Sequence, residues 1–417
     1  MIKKSHILKL NIFIISIIML GYFWLINSNN VVNWNAKSIA ALIGIMSFIL
    51  VVFPPNTLDK NEYKVLNIYF LFYIVAIILE IINTQLTFHY SNSILLAELL
   101  PYTYIFIAYP LVYIFSIDNG IYKFLNLIFF LTFVMIILKF LGWYLNNYLN
   151  ISVLNNLFLE DGSWVRNGLQ RLNMVPLSDI LFVYSLSNFL THKHIISSSL
   201  ITIVIFLYSL FVTQARFLSI ILVIVFLSMV LFRVKNGGLF SYLVRSLLIF
   251  SLAVFIIIGG LNLIINIFSV NGDNGSSTIA RLDNINHFSN ILFTSNKWIL
   301  GLGFLSTNDP ISFSYLFKNY SAVYYLSDIG IFGNFVVFGL LSLLIYGVLY
   351  LLFMRVIDKY KNYKDNLQLK LILIGIFTYI VCSTLTLNIF DMVRAYNLPF
   401  YLAIYSYIYG KYVINDK

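Results

Sequence analysis

The segment IARLDNINHFSNILF, residues 279–293, carries side chains whose types and spacing are suited to chemistry. Arg281, Asn284 and His287 are three residues apart, and apolar residues recur between them every three or four positions, which is typical of an amphipathic helix. Such a helix is expected to place the three polar side chains on one stripe, where Arg281 near the helix N-terminus favours an anionic ligand. The carboxylate of Asp283, four residues before His287, is expected to orient the imidazole. The alternative is an ordinary amphipathic helix with a solvated polar face.

Four further arginines stand beside apolar runs or in the gaps between them. Arg216 directly precedes an apolar run in TQARFLSI, and Arg166 and Arg171 lie in LEDGSWVRNGLQRLN. Arg394 lies in NIFDMVRAYNLP, where it is expected to pair with Asp391. The planar guanidinium fork binds phosphate oxygens bidentately and stays ionised, so these arginines are predicted to bind an anionic substrate. The alternative is that they cap helix ends or reach lipid headgroups.

The composition places these residues in a membrane protein. Of 417 residues, 60% are hydrophobic and only 10% are charged, and the mean hydropathy is +0.90. The sequence therefore predicts an all-α polytopic membrane protein that forms a single integral membrane domain over residues 1–417. About twelve transmembrane helices are predicted, approximately at 7–26, 37–54, 64–83, 94–115, 121–142, 176–191, 195–212, 216–232, 246–267, 328–353, 371–389 and 397–410. The one cysteine, Cys382, allows no intrachain disulfide and no cysteine metal cluster, and no metal or other cofactor is expected.

The distribution of basic residues predicts the orientation of the chain. If the N-terminus is cytoplasmic, 17 of the 26 lysine and arginine residues fall on the cytoplasmic side, as the positive-inside rule requires. Both termini are then cytoplasmic, and the net charge of +10 reflects lysine-rich loops rather than binding of nucleic acid. Lysine divides 14 to 4 in favour of the cytoplasmic side, whereas arginine divides 3 to 5 in favour of the outer side. Because topology needs only positive charge, the outer arginines indicate anion binding.

Two predicted outer loops are long enough to form a site. The first, residues 143–175, contains two of the arginines together with aromatic residues suited to the membrane interface or, alternatively, to stacking on sugars. The second, residues 268–327, is the longest hydrophilic segment and contains the predicted amphipathic helix. Asp328 follows it at the start of the next span. Asp328 is expected to cap that span, and a catalytic role is the alternative.

The sequence lacks the motifs that are typical of several classes of protein function. The sequence has no P-loop, no HExxH, no Rossmann fingerprint and no GxSxG elbow, so an ATP-driven pump is not expected. A secondary transporter normally carries ionisable groups near the middle of the membrane, whereas the predicted spans are nearly free of charge. The main exceptions are Glu80, Glu98 and Lys139. The concentration of polar groups on one face indicates a reaction at that face rather than transport across it.

The order of these features resembles the polysaccharide polymerase (Wzy) family of the O-antigen ligase and polymerase superfamily. The matching elements are the arginine that opens a mid-chain span in TQARFLSI, a long outer loop, the segment ARLDNINHFSNILFTSNKWILGLGF and the helix start SDIGIFG. Nearly all of the likeness lies in residues 213–339, while the flanking spans match only in number and hydrophobicity.

The resemblance implies a metal-independent membrane glycosyltransferase in the bacterial cytoplasmic membrane, with an extracytoplasmic active face. Such enzymes transfer a growing glycan from a polyprenyl-pyrophosphate carrier to the sugar of an incoming lipid-linked repeat unit, which makes capsule, O-antigen or exopolysaccharide. Carried over to this sequence, Arg216 and Arg281 match the arginines expected to hold the pyrophosphate. For the base that activates the acceptor hydroxyl, His287 oriented by Asp283 is the first candidate and Asp328 the second. Membrane lipid, a chain-length regulator and a flippase are the further partners expected.

Two other functions remain open. Related ligases have a histidine shortly before the span that follows the long loop, whereas KNYSAVYYLSD has none, which favours a polymerase. A polysaccharide or lipid flippase also has about twelve spans. It usually has short loops and a charged central cavity, unlike the 268–327 segment and the uncharged spans of this sequence.

Overall fold

Helices form most of the described structure. The computed structural model describes residues 4–26, 29–53, 60–117, 121–152, 154, 156–161, 165–166, 168–235, 275–319, 322–360, 366–391 and 394–414. Its α-helices are α1 (Lys4–Met19), α2 (Phe23–Ile26), α3 (Asn30–Val52), α4 (Lys64–Phe88), α5 (Asn92–Thr103), α6 (Ala108–Ile117), α7 (Ile121–Tyr148), α8 (Asn156–Asp161), α9 (Ser178–Leu190), α10 (Ile195–Leu207), α11 (Arg216–Lys235), α12 (Gly275–Thr294), α13 (Pro310–Leu316), α14 (Gly330–Phe338), α15 (Leu341–Tyr360), α16 (Leu367–Ser383) and α17 (Asn397–Ile408). Two antiparallel hairpins pair β1 (Val165–Arg166) with β2 (Leu169–Gln170) and β3 (Phe317–Asn319) with β4 (Ala322–Val323).

Short 3₁₀ and π-helical turns connect several of these helices. The 3₁₀ turns are Asn61–Tyr63, Tyr104–Ile107 and Leu326–Ile329, and the π-helical turns are Tyr208–Val212 and Tyr409–Ile414. The turn at Tyr208–Val212 continues α10 and leads into the segment that opens α11. The turn at Leu326–Ile329 leads directly into α14.

Seven segments of the described chain are long and apolar enough to cross a membrane. They are Asn35–Val52, Asn61–Phe88, Asn92–Ile117, Ile121–Tyr148, Ile195–Val212, Arg216–Arg233 and Leu341–Tyr360. The predicted span 7–26 is divided by a turn at Gly21 into α1 and α2, and the predicted span 246–267 lies outside the described residues. At the other predicted spans, α9, α16 and α17 are shorter helices. The chain is therefore a helical protein suited to a membrane. Seven spans are supported among the described residues, compared with the twelve predicted.

The predicted span 328–353 is not one continuous helix. The helix is interrupted between α14 and α15 at Gly339, which has a left-handed φ of 55°. A Cβ atom at this position would come within 2.4 Å of the Ile299 carbonyl oxygen, so the break requires glycine. That oxygen instead accepts the Leu340 N–H at 2.9 Å. Because the apolar pattern runs on through the glycine, hydropathy alone predicts a single span.

The WILGLGF segment, residues 298–304, covers this break. The N–H groups of Leu302 and Gly303 donate to the carbonyl oxygens of Val336 and Val337 at 2.8 and 3.2 Å. These bonds satisfy carbonyl groups at the end of α14 that have no partner within the helix. Buried backbone groups without a partner are costly, so the WILGLGF segment has a structural role at this break.

A second, smaller hydrophobic core attaches α12 to the bundle. Phe288 and Leu292 are fully buried there against residues of α4 and α14. Ile279 and Leu282, in the first half of the helix, remain 41% and 45% exposed. The helix predicted within the 268–327 segment is therefore present, and it packs on the bundle through its C-terminal half.

Candidate functional site

One cavity collects all five of the predicted arginines. Arg166 reaches it from β1, Arg171 from the chain after β2, Arg216 from the start of α11, Arg281 from α12 and Arg394 from the turn before α17. The cavity has a volume of about 390 Å³, which is within the roughly 300–1,000 Å³ typical of small-molecule sites. Because the arginines come from five places in the chain, the fold creates this cluster and no local motif does.

Carboxylates and neutral polar groups complete the lining of the cavity. The acidic residues are Asp179, Asp328 and Asp391, and the neutral polar ones include Asn173, Ser178, Thr278, Ser327, Tyr379 and Asn397. The three carboxylates are fewer than the five guanidinium groups. The lining therefore has an excess of positive charge, which favours an anionic ligand.

The segment TQAR, residues 213–216, forms a tight connection before α11. Gln214 adopts a left-handed φ of 48°, and the Ala215 N–H donates to Thr213 Oγ1 at 3.2 Å. A threonine hydroxyl that accepts the N–H two residues later closes a turn rather than capping a helix. Helix α11 begins directly after this turn with Arg216, which lines the cavity.

Arg166 is anchored to this connection. Its Nη1 donates to the Gln214 carbonyl oxygen at 2.7 Å, which holds the β1–β2 hairpin against TQAR. Burial, followed by the positive charges of Arg171, Arg216 and Arg281, lowers the pKa of the Arg166 guanidinium. The Arg166 guanidinium is therefore close enough to three others to be repelled by them, and an anion placed beside it would relieve that repulsion.

The chain around Arg171 is held by the π-helical turn Tyr208–Val212. The Leu172 N–H donates to the Val212 carbonyl oxygen at 3.1 Å, and the Tyr208 hydroxyl donates to the Asn173 carbonyl oxygen at 2.8 Å. The loop that follows β2 is thus held to the π-helical turn by two consecutive residues, Leu172 and Asn173. π-Helical turns are frequent at functional sites, and this one positions a cavity wall.

Arg216 and Arg281 differ from the other cavity arginines in their lack of protein partners. In the part of the chain that the structure describes, neither guanidinium group forms a hydrogen bond to another residue, and Nε of Arg281 is buried without a partner. Arg166 and Arg394, in contrast, are bonded to Gln214 and Asp391. Since buried donors nearly always have a partner, the buried Nε of Arg281 indicates where an anion binds, and the half-buried Arg216 lines the same cavity.

Two of the three cavity aspartates already bind protein groups. Asp391 Oδ2 accepts from Arg394 Nη1 at 3.0 Å, which confirms the predicted pair. Asp179 is 2% exposed and accepts from Asn397 Nδ2 at 3.0 Å and from the hydroxyl of Tyr401. Sequence reasoning missed Asp179, although a carboxylate in the first turn of a predicted apolar span is a signal that could have identified it.

Asp328 is the third cavity aspartate. Its carboxylate forms no hydrogen bond or ion pair to any described residue, and it lies in the same cavity as the unpaired arginines. A carboxylate that is free of protein partners can accept a proton from a hydroxyl group bound beside it. The second candidate base therefore lines the same cavity as the arginines.

The first candidate base lies elsewhere. His287 Nε2 donates to the Tyr315 carbonyl oxygen at 2.8 Å, and the imidazole stacks on Tyr324 with ring centroids 4.0 Å apart. Asp283 binds Lys318 Nζ at 3.2 Å instead of His287, so the predicted Asp283–His287 pair is wrong. Neither residue belongs to the cavity lining.

The single polar stripe predicted for α12 is also wrong. An α-helix turns about 100° per residue, so each step of three residues falls about 60° short of a full turn. Arg281 and His287 therefore lie about 120° apart around α12, and only Arg281 reaches the cavity. Asn284, between them, is 7% exposed and donates through Nδ2 to the Tyr325 carbonyl oxygen at 3.3 Å, which gives it a structural contact.

The arrangement can bind an anion and accept a proton in one partly enclosed space. Two unpaired guanidinium groups can stabilise negative charge as it develops, and one unpaired carboxylate can act as a base. Within the described ranges, no three histidine, cysteine, aspartate or glutamate side chains are grouped as metal ligands. Compared with models of known protein families and with curated protein sequences, the chain matches none.

Proposed function

We propose that the protein is a membrane glycosyltransferase of the polysaccharide-polymerase type, which joins lipid-linked oligosaccharide repeat units. The observation that carries the proposal is the convergence of five arginines on one cavity, two of which, Arg216 and Arg281, have no partner among the residues that the structure describes. A reaction in which a lipid pyrophosphate leaves requires stabilisation of developing negative charge above all. The unpaired guanidinium groups supply that stabilisation, and the resemblance in residues 213–339 supports the choice of substrate.

The proposed reaction assigns a role to each free group in the cavity. Arg216 and Arg281 hold the pyrophosphate of the donor, whose glycan is transferred. A hydroxyl oxygen of the acceptor sugar attacks the anomeric carbon, and the bond from that carbon to the pyrophosphate oxygen breaks. Asp328 takes the hydroxyl proton, and the polyprenyl pyrophosphate leaves with the negative charge that the arginines stabilise.

The other cavity arginines support the clamp. Arg166, bonded to the Gln214 carbonyl oxygen, keeps positive charge directly beside Arg216. Arg394 is paired with Asp391, so it contributes less positive charge to the cavity than an unpaired arginine does. Arg171 adds to the same positive field. In this proposal the active face is extracytoplasmic and the protein resides in a bacterial cytoplasmic membrane.

The test replaces each clamp arginine by lysine in a strain that lacks the gene. Arg216→Lys and Arg281→Lys keep the charge and remove the bidentate fork, so each is expected to shorten or abolish the surface glycan on a gel. Arg233→Lys is the matched control, because Arg233 contacts His192 and lies outside the cavity lining. Full-length polymer from both cavity variants would contradict the clamp.

The strain without the gene distinguishes the proposed polymerase from its alternatives. A polymerase defect leaves single repeat units on the outer face of the membrane. Repeat units that stay on the cytoplasmic face would instead identify a flippase. Finished polymer that is not attached to its final acceptor would identify a ligase.

A further inference from the structure

The cavity contains a tyrosine that the reaction above does not use. Tyr379, on α16, lines the cavity and is 8% exposed. Hydroxyl groups of buried tyrosines usually have a hydrogen-bond partner. In the described chain the Tyr379 hydroxyl has no such partner. Its oxygen is nevertheless not sealed off from open space. The hydroxyl therefore faces the open space of the cavity.

The surroundings of Tyr379 are less positive than those of the clamp. Its electrostatic neighbours are Asp179 and Arg394, and Arg394 is already paired with Asp391. A phosphate beside the Tyr379 hydroxyl would thus lie near the Asp179 carboxylate and near an arginine whose charge is already paired. Among the described residues, the charges that act on Tyr379 are those of Asp179 and Arg394 and not those of the unpaired Arg216 and Arg281. A pyrophosphate is therefore favoured beside the two unpaired arginines, and a neutral group beside Tyr379.

From this separation we infer that Tyr379 forms a subsite for a neutral, hydroxyl-rich group, the first sugar ring next to the pyrophosphate. The hydroxyl of tyrosine both donates and accepts hydrogen bonds, as do the hydroxyl groups of a sugar. Asn397, also in the lining, holds Asp179 in place near Tyr379, because its amide binds Asp179 on one side and the Leu177 N–H on the other. The inference rests on the proposed function, since that function supplies the sugar.

The test compares two ligands on one purified protein in detergent. Farnesyl diphosphate carries the pyrophosphate without a sugar, and the lipid-linked repeat unit extracted from the strain lacking the gene carries both. Tyr379→Phe is expected to leave the affinity for farnesyl diphosphate unchanged and to weaken the affinity for the repeat unit about threefold to tenfold, the effect of one hydrogen bond. The melting temperature without ligand is expected to stay the same, because the hydroxyl has no bond within the described protein.

Tyr184→Phe is the matched control, since the Tyr184 hydroxyl donates to Asn126 Oδ1 outside the cavity lining. An equal loss of both affinities in Tyr379→Phe, or no loss for the repeat unit, would overturn the sugar subsite. Arg216→Lys and Arg281→Lys separate this outcome from failure of the proposed function. If they leave binding of farnesyl diphosphate intact, the pyrophosphate clamp is wrong whatever Tyr379 does.

Discussion

The carboxylate of Asp328 shares its cavity with two guanidinium groups that have no partner in the described part of the chain, and this combination determines which residue is expected to act as the base. Asp328→Asn keeps the size of the side chain and removes its ability to take a proton. We expect this variant to slow polymer formation by about 10²- to 10⁴-fold, the usual contribution of a general base. The rate is measured as the appearance of polymer from extracted lipid-linked repeat units. The melting temperature checks that the protein remains folded.

Asp309 offers a control for this change within the same part of the chain. Its Oδ2 accepts the Ser312 N–H at 2.8 Å and caps α13, outside the cavity lining. Asp309→Asn keeps a capping side chain, so its rate is expected to match that of the unchanged protein. A normal rate in Asp328→Asn as well would remove Asp328 from the mechanism.

His287 is expected to contribute to stability rather than to catalysis. Its Nε2–H bonds the Tyr315 carbonyl oxygen and its ring stacks on Tyr324, away from the cavity. His287→Leu loses both interactions, so we expect a loss of about 1 kcal/mol in the free energy of unfolding, seen as a lower melting temperature. The length of the surface polymer is expected to be unchanged at permissive temperature. A folded His287→Leu protein that makes no polymer would restore this histidine as the candidate base.

At the scale of elements, the sequence predicts those features that depend on local pattern. The apolar period of three to four residues correctly places a helix around Phe288, and the charge at the start of an apolar run correctly identifies Arg216 as the first residue of α11. Contacts between elements that are far apart in the chain leave no such pattern in the sequence. The bond from Arg166 to Gln214 and the interruption at Gly339 both depend on chain segments that are far apart in sequence, so the fold alone defines them.

The contact between the starts of α9 and α17 provides an element-scale prediction. Asn397 donates through Nδ2 to Asp179 and accepts the Leu177 N–H through Oδ1. Asn397→Asp replaces the donor by a second buried carboxylate facing Asp179. We therefore expect a lower melting temperature and less polymer, because two adjacent buried carboxylates repel each other.

Adding Asp179→Asn to Asn397→Asp is expected to restore both properties. In the double variant the amide donates from position 179 to the carboxylate at 397, and the number of buried charges is the same as in the unchanged protein. The coupling energy in a double-mutant cycle is expected to be about 1–3 kcal/mol. If the second change fails to improve on Asn397→Asp alone, the two side chains do not act as a pair.

At the scale of the whole molecule, the location of the cavity relative to the two membrane faces determines which reactions are feasible. In the proposed function, lipid-linked repeat units are joined on the outer face of the membrane, so the proposed polymerase requires the cavity on that side. The excess of lysine in the predicted cytoplasmic loops supports that orientation. The single cysteine of the sequence allows a direct test, because one substitution removes every thiol.

In a Cys382→Ser background, single cysteines at two exposed positions should report opposite faces. Asn308 lies in the 268–327 segment, and Ser197 lies at the start of α10, four residues after Lys193, which falls on the predicted cytoplasmic side. A membrane-impermeant maleimide applied to intact bacterial cells is expected to label Asn308→Cys, and to label Ser197→Cys only after the cells are permeabilised. The parent Cys382→Ser protein should stay unlabelled. The reverse pattern would place the arginine cavity in contact with the cytoplasm, where its unpaired guanidinium groups would meet repeat units before they are flipped, and the proposed polymerase would have to be abandoned.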